Sequence, residues 1–145
     1  MSLSNTTENA TLKAHLNGTD LGYRTNVTQY LALFNNNAGT PADLEAGGTT
    51  YELSYTGGGN SYARMPLTKA TAWTDGGSSF TNADIIAFAK RTDAGATQTA
   101  KYFAVVDTSS GAYAQGVWGT LNDELAISLN IQPQFGVGDI TVTAD

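Results

Sequence analysis

Short apolar or alternating segments recur along most of the chain and predict a fold built from β-strands. Residues 28–34 (TQYLALF) are almost continuously apolar between polar clusters, which indicates a well-buried strand. In residues 49–55, Tyr51, Leu53 and Tyr55 alternate with their neighbours, which predicts a strand that places these three side chains on one face. The same criteria predict further strands at 61–67, 70–74, 84–89, 101–107, 112–118, 124–131 and 138–144.

Turn residues separate these predicted strands. The glycines at 57–59 and at 76–77 predict tight turns and not phosphate-binding loops, because neither run is followed by Lys-Ser or Lys-Thr. Ser109-Ser110-Gly111 predicts a hairpin between the two strands that flank it. Asn122-Asp123 predicts another turn before the next strand.

Proline and asparagine positions refine these predictions. Pro66 has no N–H to donate to a ladder, so its strand ends there or lies at a sheet edge. Residues 35–48 contain Asn, Gly and Pro without periodicity, which predicts the longest loop. The segment 84–89 (DIIAFA) is equally consistent with a short helix capped by Asn82.

The N-terminal segment, residues 2–17, contains the best helix candidate. Asn5, followed three residues later by a glutamate, matches an N-cap with its partner, and Gly18 supplies a C-terminal stop. Leu12 and Leu16 lie one turn apart, but this apolar stripe is too thin to hold the helix by itself. We therefore expect the helix to need a partner surface, either its own sheets or another chain.

About eight or nine short strands and one short N-terminal helix predict a mostly β fold. Short, regularly spaced strands are typical of antiparallel sandwiches, jelly rolls and barrels, and we expect a β-sandwich or jelly roll. A length of 145 residues favours a single domain. Within it, residues 1–20 form the predicted helical segment and residues 21–145 the predicted β-sandwich.

Composition narrows the functional classes. Charged residues make up 14% of the chain, and 13 acidic against 7 basic residues give a net charge of −6. A face that neutralises phosphates needs clustered Lys and Arg, so we expect no nucleic-acid partner and no membrane binding. Cysteine is absent, which excludes disulfides and thiolate metal sites. No apolar run is long enough to span a bilayer, and residues 1–13 lack the features of a signal peptide.

The residues with catalytic potential do not form a pattern typical of an enzyme. His15 is the single histidine, and no G-x-S-x-G segment places a serine beside a base. Asp123 and Glu124 are adjacent, so on a strand they point to opposite faces and do not form a carboxylate pair. The remaining acidic residues are scattered among turns without a calcium-binding motif. We predict a non-enzymatic protein with no catalytic, cofactor-binding or metal-binding residues.

Aromatic side chains and one arginine remain as candidates for binding. A sugar-binding platform and a buried core are alternative roles for the aromatics, and the core is the commoner role on strands. These residues are Tyr51, Tyr55, Tyr62, Trp73, Tyr102, Phe103, Tyr113 and Trp118. Arg64 stands among small and apolar residues, which predicts a structural ion pair or a clamp on backbone carbonyls.

Several short segments, in order along the chain, carry a family likeness. They are SLSNTTEN (2–9), YLALF (30–34), SYTG (54–57), YAR (62–64) and DITVT (139–143). Together they resemble a family of small structural proteins of tailed bacteriophages, which open with an S-x-T-N-x-T-E-N-like helix and carry a Y-L-x-L-H-T-like strand. Those proteins continue with a Y-T-G-Y-A-R motif and close with a threonine-rich strand. Here residues 58–61 interrupt the motif, and Asn35-Asn36 replace the usual His-Thr, as in a distant member.

The resemblance implies a structural component of the virion, of a kind often labelled tail fibre. We interpret the chain as a capsid decoration, or cement, protein that is assembled in the host cytoplasm and binds the outside of the major capsid shell. Its expected partners are the major capsid protein and copies of itself, with a trimer favoured. The alternatives are a tail-fibre or baseplate accessory protein that binds a host-surface glycan, and a free-standing carbohydrate-binding module or glycan-active enzyme.

Overall fold

The computed structural model of the chain describes residues 2–17, 27–57 and 61–143, which form ten strands and two helices. The first part contains β1 (Ser2–Leu3), α1 (Asn5–Asn17), β2 (Thr28–Asn35) and α2 (Thr40–Glu45). The second part contains β3 (Met65–Thr68), β4 (Trp73–Asp75), β5 (Ser79–Asn82), β6 (Ile86–Ala87), β7 (Gln98–Val106), β8 (Gly116–Ile127), β9 (Gln134–Phe135) and β10 (Thr141–Thr143).

The strands form three antiparallel sheets. The largest has the order β1-β8-β7-β2-β3, the second has the order β10-β5-β4, and the third is the pair β6-β9. In the centre of the largest sheet, Leu31 of β2 lies opposite Val105 of β7, and Leu33 lies opposite Phe103. This architecture confirms the predicted mostly β, antiparallel, sandwich-like fold.

Both faces of the five-stranded sheet are covered, which explains the uninterrupted apolar run of β2. Leu31 and Leu33 point into the larger core, whose members from the smaller sheets and their loops include Ile86, Phe88, Phe135 and Ile140. Ala32 and Phe34 point the opposite way, into a smaller core that α2 closes with Leu44. Because alternate residues of β2 face different cores, both sets must be apolar.

Several predicted strands are confirmed with shifted ends. The segments at 28–34, 61–67, 70–74, 101–107 and 138–144 overlap β2, β3, β4, β7 and β10. Pro66 lies in β3, which is an edge strand of its sheet, as its missing N–H requires. The turn between β4 and β5 is also confirmed, because Gly77 has a φ of 90° and its N–H donates to Asp75 Oδ1 at 2.7 Å. Residues 58–60 of the other predicted glycine turn lie outside the described residues.

The predicted loop at 35–48 is wrong, because it contains α2. Pro41 occupies the first turn of this helix, where its fixed φ and missing N–H cost nothing. Thr40 Oγ1 donates to Asn35 O at 3.1 Å, which anchors the start of α2 to the end of β2. Burial of Leu44 against the smaller core then stabilises a helix that the local sequence does not favour.

The predicted strand at 49–55 is also wrong, although its alternation is retained. Glu52 forms an isolated bridge with Phe34, and Leu53 N donates to Leu33 O at 2.9 Å. The segment therefore lies beside the end of β2 with little ladder pairing of its own. Leu53 and Tyr55 nevertheless both reach the larger core, so side-chain burial rather than a ladder holds the segment.

β8 replaces two predicted strands and the turn between them. Residues 112–115 lie in the connection after β7, and the strand continues through Asn122-Asp123 to Ile127. The hydrogen-bond register shifts between Ala100 and Tyr102 of β7, so the polar pair lies opposite an irregularity and not in a reversal. The predicted hairpin between β7 and β8 is confirmed as an antiparallel pair, with Gly111 at a φ of 73° in the connection.

The smaller sheets contain strands that the sequence pattern did not indicate, β5 and β9. The segment 84–89 contains only the short β6 and no helix. Asn82 is not a helix cap but a buried bridge between segments: its Nδ2 donates to Asp84 O and Gly136 O at 2.8 and 2.7 Å. Its Oδ1 accepts from Ile140 N at 2.9 Å. This one side chain joins β5 to the loops that precede β6 and β10.

α1 confirms the predicted N-terminal helix, but its cap differs. The helix begins at Asn5, and Ser4 O accepts the first hydrogen bond from Glu8 N at 3.0 Å, so Ser4 is the N-cap residue. Ser4 Oγ also lies 3.0 Å from Thr7 Oγ1. The predicted stop at Gly18 lies outside the described residues.

The side chains of α1 reverse the usual amphipathic arrangement. Ser4 and Thr7 are buried, and Thr7 Oγ1 accepts from Gly116 N at 2.9 Å. Leu12 and Leu16 are 59% and 73% exposed. The polar face of the helix thus contacts its own sheet, while the leucines are left on the outside.

Candidate functional site

The two halves of the interrupted motif, 54–57 and 62–64, lie side by side next to the end of β2. Tyr62 N donates to Tyr55 O at 2.8 Å, and the centroids of the two rings are 5.5 Å apart. Tyr62 also stacks on Phe88, with centroids 5.8 Å apart and an interplanar angle of 2°. The interruption therefore leaves the two tyrosines of the motif adjacent in space.

Both tyrosine hydroxyls are used in hydrogen bonds inside the protein. Tyr55 Oη donates to Ala89 O at 2.8 Å, and burial raises the pKa of Tyr55 to about 12. Tyr62 Oη accepts from Leu33 N at 2.8 Å and donates to Glu52 Oε1 at 3.2 Å. Burial, together with the Glu52 carboxylate, raises the pKa of Tyr62 well above its usual value. The two phenols stay neutral and serve packing rather than proton transfer.

Arg64 is 4% exposed and uses all five of its N–H donors. Nε and Nη2 donate to the two carboxylate oxygens of Glu52 at 2.8 and 2.7 Å. Nη1 donates to O and Oγ1 of Thr108, and Nη2 donates to Gly111 O. Both predicted roles, an ion pair and a carbonyl clamp, are confirmed. Arg64 thereby fixes the β7–β8 connection against the segment that contains Glu52.

A second buried arginine, Arg91, was not singled out by the sequence analysis. Its Nε and Nη2 bind the Asp93 carboxylate at 3.1 and 2.7 Å, and its Nη1 donates to Ala96 O and Ile127 O. The hydrogen bonds from Arg91 lower the pKa of Asp93 to about 2. The available signal was the i, i+2 spacing of an arginine and an aspartate, which places both on one side of an extended segment.

A polar groove of about 590 Å³ lies over these residues. Its lining includes the hydroxyl-bearing side chains of Thr49, Ser54, Thr56, Ser61, Tyr62, Ser109 and Ser110. Its charged groups are bonded within the protein, Glu52 to Arg64 and Asp93 to Arg91. A catalytic acid, base or nucleophile needs a proton or lone pair that reaches the substrate. The chemistry available in the groove is therefore hydrogen bonding by hydroxyl and backbone groups.

The predicted aromatic platform is divided between the two cores. Tyr55 and Phe103 are buried in the larger core, and Tyr62 and Trp73 pack against it. On the other side of the five-stranded sheet are Tyr113, which is buried, and Tyr102 and Trp118, which pack against it. Tyr51 is half-buried beside Gly39. Because the sheet separates the two groups, they form no shared flat surface for a sugar ring, and the alternative role in the core is confirmed.

The remaining candidates are not brought together. Asp123 and Glu124 are both exposed on β8, and Glu124 pairs with Lys101 at 3.3 Å. The side chain of His15 lies outside the described part of the structure. Across residues 2–17, 27–57 and 61–143, no group of three or more His, Asp or Glu side chains is arranged to hold a metal ion. Neither described helix has the length and apolar character that crossing a bilayer requires.

Comparison with known proteins gives one assignment. Residues 2–143 match the family model described as podophage GP4 fiber I protein gp80. A search of the curated proteins found no match. The family match includes the segments that carry the sequence resemblance, and in this chain those segments build the end of β2, the paired tyrosines and the Arg64 clamp. The chain therefore belongs to the family of the podophage GP4 fiber I protein gp80, a family of phage virion structural proteins.

Proposed function

We propose that this chain is a non-enzymatic structural component of a phage virion, which acts by docking on repeated subunits of the assembled particle. The match of residues 2–143 to the fibre I family carries this proposal. The polar groove supports it, because its carboxylates and guanidinium groups form ion pairs with each other. A ligand that binds only the assembled state stabilises that state by mass action, so docking of this kind strengthens the particle.

Within the virion, the position that we propose is a fibre, because the matched family is described as a fibre protein. The second candidate is a cement protein that binds the major capsid protein on the outer capsid surface. The compact sandwich, with a half-exposed Phe80 and an exposed Ile85 and Val137 on its surface, supports this candidate, since cement proteins need flat contact areas. Glycan recognition in the fibre role would depend on the polar groove, because the five-stranded sheet divides the predicted aromatic platform.

We further propose that copies of the chain associate through α1, with a trimer favoured. Leu12 and Leu16 are exposed one turn apart, while the polar face of the helix is the one that contacts the sheet. Two leucines exposed to water are covered when helices from several copies pack together. An oligomer would also bind a repeating lattice through several copies of the chain at once, which raises its avidity for that lattice.

The position in the virion is tested by a reconstruction of the purified particle together with quantitative mass spectrometry. A fibre component is expected as density outside the shell at the tail, with a copy number close to that of the tail proteins. A cement protein is expected on the capsid lattice, with a copy number close to that of the major capsid protein. Absence of the chain from purified particles would contradict both roles.

A further inference from the structure

A second cavity, outside the polar groove, lies where α1 meets the ends of β7 and β8. Its volume is about 150 Å³, and it is partly open to solvent. Leu3, Val105 and Val117 supply apolar walls, while α1 contributes Thr7 and Thr11.

Two buried acceptor atoms line the cavity. Asp107 Oδ1 and Gln115 Oε1 have no hydrogen-bond partner among the described residues. Asp107 N donates to Gln115 O at 3.3 Å, so the two residues lie opposite each other one step beyond the last β7–β8 pair. Their side chains consequently share a face with Val105 and Val117. A buried acceptor without a donor is costly, and a ligand that brings N–H donors removes that cost.

The lining specifies the chemistry of such a ligand. An ammonium group carries three donors and no acceptor, so it can serve both oxygens at once. An alkyl chain attached to it would pack against the valines and Leu3. A cavity of about 150 Å³ holds a molecule the size of benzene, which has more heavy atoms than n-butylammonium.

We propose that this cavity binds the side chain of a lysine from a neighbouring virion subunit, with the ammonium donating to Asp107 Oδ1 and Gln115 Oε1. The net charge of −6 supports this occupant, because an acidic chain favours a basic partner surface. Only the source of the lysine rests on the proposed virion role, since the cavity belongs to this chain alone. Lys69 also lines the cavity, so its own ammonium is the competing occupant.

The probe is n-butylammonium, titrated into the isotope-labelled protein while the methyl resonances of Leu3, Val105 and Val117 are followed by NMR. We expect saturable shifts at these methyls and binding of 1-butanol that is weaker by about tenfold or more, because the alcohol lacks the charge. Equal affinity for the two molecules, or no saturable shift, would overturn the proposal.

Three variants test which side chains determine the binding of n-butylammonium. Asp107→Asn keeps the shape of the side chain and removes its charge, so n-butylammonium binding should weaken by about tenfold or more. Asp84→Asn, at an exposed acid away from the cavity, should leave n-butylammonium binding unchanged. Lys69→Gln should leave n-butylammonium binding unchanged or make it tighter. Binding that appears only in Lys69→Gln would assign the two acceptors to Lys69 and overturn the proposal.

The same experiments separate this inference from the proposed virion role. A chain that binds n-butylammonium as expected but is missing from purified particles would contradict the virion role and leave the ligand chemistry of the cavity standing. A chain that is found in particles but does not bind n-butylammonium would contradict the proposed ligand of the cavity and leave the virion role standing. Circular dichroism of each variant verifies that it is folded before its titration is interpreted.

Discussion

Two buried arginines hold loop segments that have few ladder hydrogen bonds of their own. Arg64 joins the segment containing Glu52 to the β7–β8 connection, and Arg91 joins the segment after Asp93 to the end of β8. Each arginine offsets its charge with one carboxylate and also donates to backbone or hydroxyl oxygens. A buried charge is tolerated when it is paired and hydrogen-bonded, and both arginines meet that condition.

Replacement of Arg64 by methionine should lower the free energy of unfolding by about 3–5 kcal/mol, because it leaves the Glu52 carboxylate without its partner. Arg64→Lys should recover only part of the loss, since one ammonium cannot reach both Glu52 oxygens and two carbonyls. The measurement is urea unfolding followed by circular dichroism. As a control, Lys101→Met breaks an exposed pair and should cost less than about 1 kcal/mol. An Arg64→Met variant as stable as the wild type would contradict the clamp.

The double variant Arg64→Met, Glu52→Leu separates the clamp from simple packing. Removal of both charges leaves no unpaired carboxylate, so the double variant should be more stable than Arg64→Met alone. The same urea unfolding series measures this difference. If the stability losses of the single variants Arg64→Met and Glu52→Leu simply add in the double variant, the ion pair is not the interaction that Arg64 supplies.

The Arg91–Asp93 pair predicts a loss of stability in acid. Hydrogen bonds from Arg91 lower the pKa of Asp93 from 3.8 to about 2, so the folded state binds this proton less tightly than the unfolded state does. The resulting stabilisation is fully present above about pH 4 and is lost as the pH falls toward 2. Urea midpoints measured across this range should fall less steeply for Asp93→Asn than for the wild type. Parallel profiles for the two proteins would contradict the assignment.

At the scale of elements, short strands depend on side-chain bridges and not on ladders. β6 and β9 have two residues each, and β4 and β10 have three, so their few hydrogen bonds cannot fix their positions. Asn82 supplies the missing links from β5 to Gly136 and Ile140. The sequence pattern indicated β4 and β10 but not β5 or β9, and a buried amide that joins three segments has no local signature.

Asn82→Ala should destabilise the protein by about 1–3 kcal/mol, because it leaves the buried Ile140 N–H without its acceptor and removes the hydrogen bond to the Gly136 carbonyl. Thermal unfolding followed by circular dichroism provides the measurement. Asn122→Ala, at an exposed position in β8, is the matched control and should stay within about 0.5 kcal/mol of the wild type. Equal effects of the two changes would show that Asn82 is not a bridge.

The exposed leucines of α1 predict an effect on association and not on folding. Leu12→Ser with Leu16→Ser should leave the thermal midpoint of the isolated chain nearly unchanged, because both side chains are exposed. The same change should shift the protein from oligomer to monomer in sedimentation velocity. Val137→Ser, which removes a similarly exposed apolar side chain elsewhere, should leave the oligomer intact. A wild-type chain that is monomeric at high concentration would exclude association through α1.

For the molecule as a whole, the five-stranded sheet separates two cores that share its central strands. Because alternate residues of β2 and β7 enter different cores, neither core can loosen without disturbing the other. The chain contains two tryptophans, and they report separately: Trp73 packs against the larger core and Trp118 against the smaller. The predicted single domain would make both tryptophans report one cooperative transition.

This expectation is tested with Trp118→Phe and Trp73→Phe, each of which leaves one fluorescent reporter. In each variant the urea midpoint from fluorescence should coincide with the midpoint from circular dichroism. A fluorescence transition in either variant that precedes the loss of β-structure would show two independently unfolding units.

The class of fold and the burial of β2 follow directly from the order of residues along the chain. The apolar run at 28–34 requires burial on both faces, the absence of cysteine excludes disulfide cross-links, and an isolated Arg64 requires a partner. Such features are local, so their physical consequences can be derived without knowing what lies nearby.

Which segments contact each other depends on the packed fold. α2 forms within an Asn- and Gly-containing stretch because Leu44 finds the smaller core, and residues 49–55 lose their ladder while keeping their buried side chains. β8 continues through Asn122-Asp123 because its extra residues lie opposite the register shift between Ala100 and Tyr102 of β7. The pairing of Asp107 with Gln115 at the second cavity likewise depends on the β7–β8 register. These outcomes depend on contacts between residues distant in sequence, and local propensity carries no information about such contacts.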